Sequence, residues 1–187
     1  GYLSPATFIL VLLAPLLTMR LLAEEQKMGT IELLLTAPVR DWEVVLGKFL
    51  ASMAFFIGAL ALTLFYVLLL YLFGDPDSGP ILTGYLGLLL YVATVLAVGL
   101  FTSSLTANQI VAAVVAFGLL LLLTVIHLAA DQVTGVAATM LQEMSLVAHF
   151  DDFARGIIDT RGVVYYVTVT AVFLFLTVRS LETRRWR

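Results

Sequence analysis

Five long apolar runs fix what this chain can fold into. They cover residues 3–19, 44–73, 81–103, 110–130 and 163–178. A bilayer core of about 30 Å needs roughly 20 apolar residues at 1.5 Å each. The second run is long enough to tilt or to extend past the hydrocarbon. The first is short and carries Pro5 and Pro15, so a kink is expected there. Only helices and closed barrels satisfy their backbone in lipid. Continuous apolar runs without period-two alternation read as helices. The expected fold class is therefore an all-α integral membrane protein with five transmembrane helices, forming one transmembrane domain over 1–187.

Composition supports the bilayer as solvent. Hydrophobic residues make up 61%, charged residues 12%, and the mean hydropathy is +1.06, whereas soluble domains carry about 25% charged residues. The net charge of −3 comes without a basic patch interleaved with aromatics, which argues against nucleic acid as a partner. With no cysteine, disulfides and thiolate metal sites are excluded. The chain starts at Gly1 and enters an apolar run without the basic leader of a signal peptide. That start reads as a truncation, with a further span expected in the complete protein.

Between the first two runs lies a charged island, Arg20 to Lys48 (RLLAEEQKMGTIELLLTAPVRDWEVVLGK). The other connections differ. GDPDSGP, at 74–80, is a turn rich in helix breakers, and 104–109 is short and uncharged. Segment 131–161 is neither a span nor a plain loop. Of the ten Lys and Arg, Arg20, Lys27, Arg40 and Lys48 lie in the island, and Arg179, Arg184, Arg185 and Arg187 lie in the tail. Only Arg155 and Arg161 fall elsewhere. Five spans put the island and the tail on one side, and the positive-inside rule makes that side cytoplasmic in the inner membrane. The tail arginines read as topology anchors rather than a lipid site.

The motifs of self-contained chemistry are missing. There is no G-x-x-x-x-G-K-[ST], H-E-x-x-H or G-x-S-x-G. Ser103 and Ser104 are expected on the side opposite His127 and His149, too far for a dyad. His127, Asp131, Glu143, His149, Asp151 and Asp152 match no ligand spacing, so no metal site is assigned. Span interiors lack Asp, Glu, Lys and Arg, whereas ion-coupled transporters place ionisable groups there. Thr63, Tyr66, Tyr71, Tyr91 and Thr94 read as hydrogen-bonding glue between helices. Any uphill work then takes its energy from another chain, and the chain is not expected to be an enzyme.

Within the island, Gly29 can break a helix and Pro38 disfavours one just before it. Residues 30–36 between them form a short helical segment whose leucines are too few to span. Two readings remain open on physical grounds: an interfacial amphipathic helix, or a docking helix for a groove in a partner.

Residues 24–49, EEQKMGTIELLLTAPVRDWEVVLGKF, resemble the cytoplasmic segment of ABC-2-type transporter permeases. The family pattern is close to E-E-x-x-x-G-T-x-E-L-L-L-[TS]-x-P-V followed by G-K-[FY]. The resemblance implies that Glu24, Glu25, Gly29, Thr30, Glu32, Leu33, Leu34, Leu35 and Pro38 contact a separate ABC ATPase subunit. It further implies that ATP and Mg bind in that partner and that this chain holds no cofactor. A second permease copy, in a homodimer or heterodimer, and six spans in the complete protein are also implied. Segment 141–161 reads as an amphipathic helix on the external membrane surface. It resembles the H-F-x-x-F-x-x-G-x-I-D stretch of gliding-motility-associated and copper-enzyme-maturation (nitrous oxide reductase) permeases. His149, Phe150, Phe153, Gly156, Ile158 and Asp159 fit, and an external accessory protein would meet this side. The alternative function is a membrane scaffold that recruits a cytoplasmic partner without transporting anything.

Overall fold

A computed structural model of the chain describes residues 4–185. Among these residues there are helices and connections but no strand. The helices are α1 (Ser4–Thr18), α2 (Arg20–Met28), α3 (Thr30–Thr36), α4 (Asp41–Phe73) and α5 (Ser78–Leu105). They continue with α6 (Gln109–Ala130), α7 (Val136–Met144), α8 (Leu146–Ala154) and α9 (Thr160–Arg185). Five stretches are long and apolar enough to cross a bilayer: Pro5–Met28, Asp41–Phe73, Ser78–Leu105, Gln109–Ala130 and Thr160–Arg184. The protein is an all-α, multi-pass integral membrane protein.

The helices run past the apolar runs because their ends are polar and capped. Asp77 Oδ1 accepts from Gly79 N at 3.0 Å to start α5, and Asn108 Oδ1 accepts from Ile110 N at 3.0 Å to start α6. The larger difference is at the first span, expected to stop at residue 19. Here α1 breaks at Met19 and resumes as α2 to Met28, so the charged residues 24–27 continue a helix instead of opening a loop.

The bundle is built around α5. Its Tyr91, Val92, Val95, Leu96 and Val98 meet Leu10, Val11 and Ala14 of α1, Leu120 of α6 and Tyr166 of α9 in the main core. Close approach is allowed by two glycines. A methyl added at Gly99 would collide with Thr18 Oγ1, and one at Gly87 would stand 2.6 Å from Phe153 Cβ. Small residues let helices meet where lipid supplies no hydrophobic drive. Hydroxyls add hydrogen bonds: Tyr91 donates to Thr7 O at 3.3 Å, and Thr94 Oγ1 lies 3.0 Å from Thr170 Oγ1.

The α7–α8 segment was expected to lie on the membrane surface. Instead α8 turns its apolar face into the bundle. Leu146, Phe150 and Phe153 are fully buried, with Phe150 edge-on to Tyr91 at 6.0 Å. The heptad-like spacing is the same for either partner, and Tyr91 of α5 with Tyr166 of α9 supplies a closer-packed surface than lipid does.

Candidate coupling site

The island forms a folded unit at one end of the bundle. Its first joint is the break between α1 and α2. Pro15 sits in the last turn of α1, where it removes a helix hydrogen bond. The neighbouring helix repairs the break. Leu22 N and Ala23 N both donate to Ser103 Oγ at 3.0 Å, and Ser103 Oγ donates to Met19 O at 3.0 Å. One hydroxyl thus uses its single proton and both lone pairs. Serine bridging of a broken helix is how backbone groups stay satisfied in a membrane.

Two side chains then tie α2 to its neighbours. Glu25 Oε1 pairs with Lys48 Nζ of α4 at 2.6 Å, and Gln26 Nε2 donates to Ser104 O at 2.8 Å. Glu25 Oε2 and Gln26 Oε1 are buried beside these contacts without a hydrogen-bond partner.

The second joint is Gly29. Its φ of 72° and ψ of 3° place it in the left-handed region, closing α2 and opening α3. Nothing lies within 4 Å of where a Cβ would be, so the demand for glycine there is conformational rather than steric. Glu32 stands in the first turn of α3, where a carboxylate suits the helix dipole. Ala37 is extended (φ −62°, ψ 151°), as a residue before proline prefers, and it ends α3. Arg40 N then donates to Glu43 Oε2 at 2.9 Å as α4 begins.

The two faces of α3 differ. Ile31 enters a second apolar cluster with Leu22, Val45, Leu100 and Leu181. These five residues come from α3, α2, α4, α5 and α9, one each. Two positions on, Leu33 is 72% exposed, as Glu32, Thr36 and Pro38 are also exposed. Beside them a shallow groove of about 430 Å³ runs along Pro38, Val39, Arg40 and Trp42. The island therefore has an anchored side and a free side.

The structure thus brings Gly29, Thr30, Glu32, Leu33, Leu34 and Pro38 into one short unit, with Glu24 and Glu25 on the helix leading to it. The Leu35 side chain lies outside what the structure describes. Ser103, Gln26 and the pairing of Lys48 were not anticipated as parts of the site. Their signal was weak: serines at a span end and a lysine after a glycine, with partners far away in sequence.

The second candidate group, in α8 and beyond, is held by packing contacts and turns. His149 stacks on Tyr165 at 4.2 Å between centroids, and its Nε2 lies 3.4 Å from Glu143 Oε2. Phe153 fills the space left by Gly87, and its carbonyl accepts from Thr83 Oγ1 at 2.9 Å. Gly156, at φ 89°, ends the α8 turn, and Asp159 Oδ1 accepts from Arg161 N at 3.0 Å at the start of α9. Among the described residues no group of three His, Asp or Glu is placed to hold a metal ion.

The probable multidrug ABC transporter permease YbhS of Escherichia coli K12 is 32% identical over 110 residues, covering 59% of this chain and 29% of the relative. The YbhS protein of Escherichia coli O157:H7 matches to the same extent. The chain thus spans less than a third of the length of these curated relatives. No solved structure matches it. Over residues 1–186 the sequence matches the family described as ABC-2 family transporter protein, and the chain belongs to that family.

Proposed function

We propose that this chain is the permease part of an ATP-driven transporter, and that α3 is where a separate ATPase subunit acts on it. The observation that carries this reading is the cluster around Ile31. It joins α3 to the ends of α2, α4, α5 and α9, while Leu33 on the opposite face is left for a partner. Ile31 shares this cluster with one residue from each of four other helices, so a force on the free face enters where those helices meet. ATP and Mg bind in the partner, and this chain catalyses nothing itself. Closure of the ATPases then shifts a two-state arrangement of the spans.

Family membership and the relatives' naming as ABC transporter permeases support transport as the task. The lysines and arginines of the island and tail support a cytoplasmic placement of both. A second permease copy completes the membrane unit, and an accessory protein on the other side meets α7 and α8. The resemblance of 149–159 supports the branch of gliding-motility-associated and copper-enzyme-maturation permeases. Glu25 is committed to Lys48, so Glu24 and Glu32 are the carboxylates offered to partner cations.

The test is charge reversal. Glu32→Lys is expected to leave the protein inserted and folded but to uncouple ATP hydrolysis from transport. Leu33→Asp is expected to abolish co-purification of a P-loop ATPase from native membranes. Wild-type coupling in the first variant sinks the assignment. Co-purification of a partner without substrate-linked hydrolysis makes the protein a scaffold.

A further inference from the structure

On the anchored side of the island a larger groove of about 680 Å³ opens between α3 and the ends of α5 and α9. Phe101, Leu105 and Leu176 line it with apolar surface, and Arg179, Arg184 and Glu32 line it with charge. The coupling role uses Leu33 on the outer face of α3, and of the groove's charged residues it shares only Glu32.

The charges in the groove are not equivalent. Arg179 is already neutralised, since its Nη1 meets Glu182 Oε2 at 2.8 Å and its guanidinium lies over Phe175 at 5.0 Å. Among the described residues Arg184 meets a carbonyl and no carboxylate, donating from Nη2 to Leu105 O at 3.2 Å. Glu32 pairs with no cation among the described residues. One uncompensated cation and one uncompensated anion therefore face the same apolar-floored space. Eight residues separate Leu176 from Arg184, about 12 Å along α9. A soluble protein surface stops at the rim, whereas a lipid places its headgroup there and its acyl carbons at the depth of Leu176. Basic pockets between membrane helices on the cytoplasmic side are suited to phospholipid headgroups.

We propose that this groove seats one phospholipid bearing both a phosphate and a primary amine. Its phosphate lies at Arg184, its ammonium at Glu32, and its acyl chain along Phe101, Leu105 and Leu176. A quaternary amine has no N–H for the carboxylate, and a headgroup with surplus negative charge meets Glu32 unfavourably. The seat stands on the groove alone; only its assignment to the inner leaflet rests on the orientation proposed above.

The experiment is lipid retention by the full chain, read by native mass spectrometry after exchange into nanodiscs. The discs hold phosphatidylethanolamine, phosphatidylcholine or phosphatidylglycerol, and inorganic phosphate is the soluble competitor. Phosphatidylethanolamine should be retained at least ten times more than the other two, without displacement by millimolar phosphate. Arg184→Ala should lose that preference, Arg184→Lys should keep part of it, and both should melt like the parent and still co-purify with an ATPase. Equal retention of the three lipids overturns the proposal, as does undiminished preference in Arg184→Ala or displacement by phosphate. If an ATPase subunit expels the lipid and shields the groove, the groove belongs to the protein partner and the proposal fails. Glu32→Lys changes both sites, so loss of ATPase association in Leu33→Asp, with lipid preference kept, is the result that bears on the coupling role and not on the lipid.

Discussion

Helices α4 and α5 are both long apolar spans, yet 6% of the most apolar window of α4 is buried inside the protein against 61% for α5. Apolarity puts both in the membrane and says nothing about which is central. What distinguishes them is the placement of small and hydroxyl residues. In α5, Gly87, Thr94, Gly99 and Ser103 each meet another helix. In α4, a Cβ added at Gly47 or Gly58 would meet nothing within 4 Å from another helix, and Leu62, Phe65 and Phe73 stand exposed. Because lipid tails are as apolar as leucine, close packing and hydrogen bonds select the centre of a membrane bundle.

The contrast can be broken most directly at matched glycines. Gly99→Leu should destabilise the detergent-solubilised protein by about 3 kcal/mol, because the branch must displace Thr18 and the α1 backbone. Gly58→Leu should stay within about 0.5 kcal/mol, and thermal unfolding of the pair measures both. A large loss at Gly58 would mean that α4 packs on something beyond this chain. Leu62, 77% exposed on α4, tests what surrounds that helix. Leu62→Arg should cost about 3 kcal/mol in a membrane-insertion assay, and free tolerance would place α4 in water. Ser103→Ala sharpens the account of α5. It leaves two amides and a carbonyl at the helix break without their partner, and a loss of about 2 kcal/mol is expected on unfolding. Gly29→Ala should cost about 1 kcal/mol from the left-handed backbone alone, with the open space around it adding no clash.

The number and approximate limits of the spans were legible because each needs a long apolar run. The limits of the helices were less so. Glu24, Glu25 and Lys27 look like the start of a loop, but α2 carries them as a helix because Ser103 repairs the break before it and Lys48 takes up one carboxylate. The bounds of α3 were legible from Gly29 and Pro38, which act through local backbone geometry. The direction in which α8 faces was not, since period alone cannot tell lipid from the ring edges of Tyr91 and Tyr166. Thr94 and Tyr91 do bridge helices as their chemistry suggested, whereas Tyr71 reaches Ser78 across the adjoining turn. The Ile31 cluster draws one residue from each of five helices, so no stretch of sequence displays it.

The Ser103 joint also sets a thermal scale. Bonds between membrane helices average about 0.6 kcal/mol each, so releasing all three raises the free energy by about 2 kcal/mol. Swinging α2 clear of α5 must also break the bond from Gln26 to Ser104 and expose Leu22, so the release of the joint costs more than its three bonds. The bend near Met19 is therefore less a scar left by proline than a joint held shut from several directions.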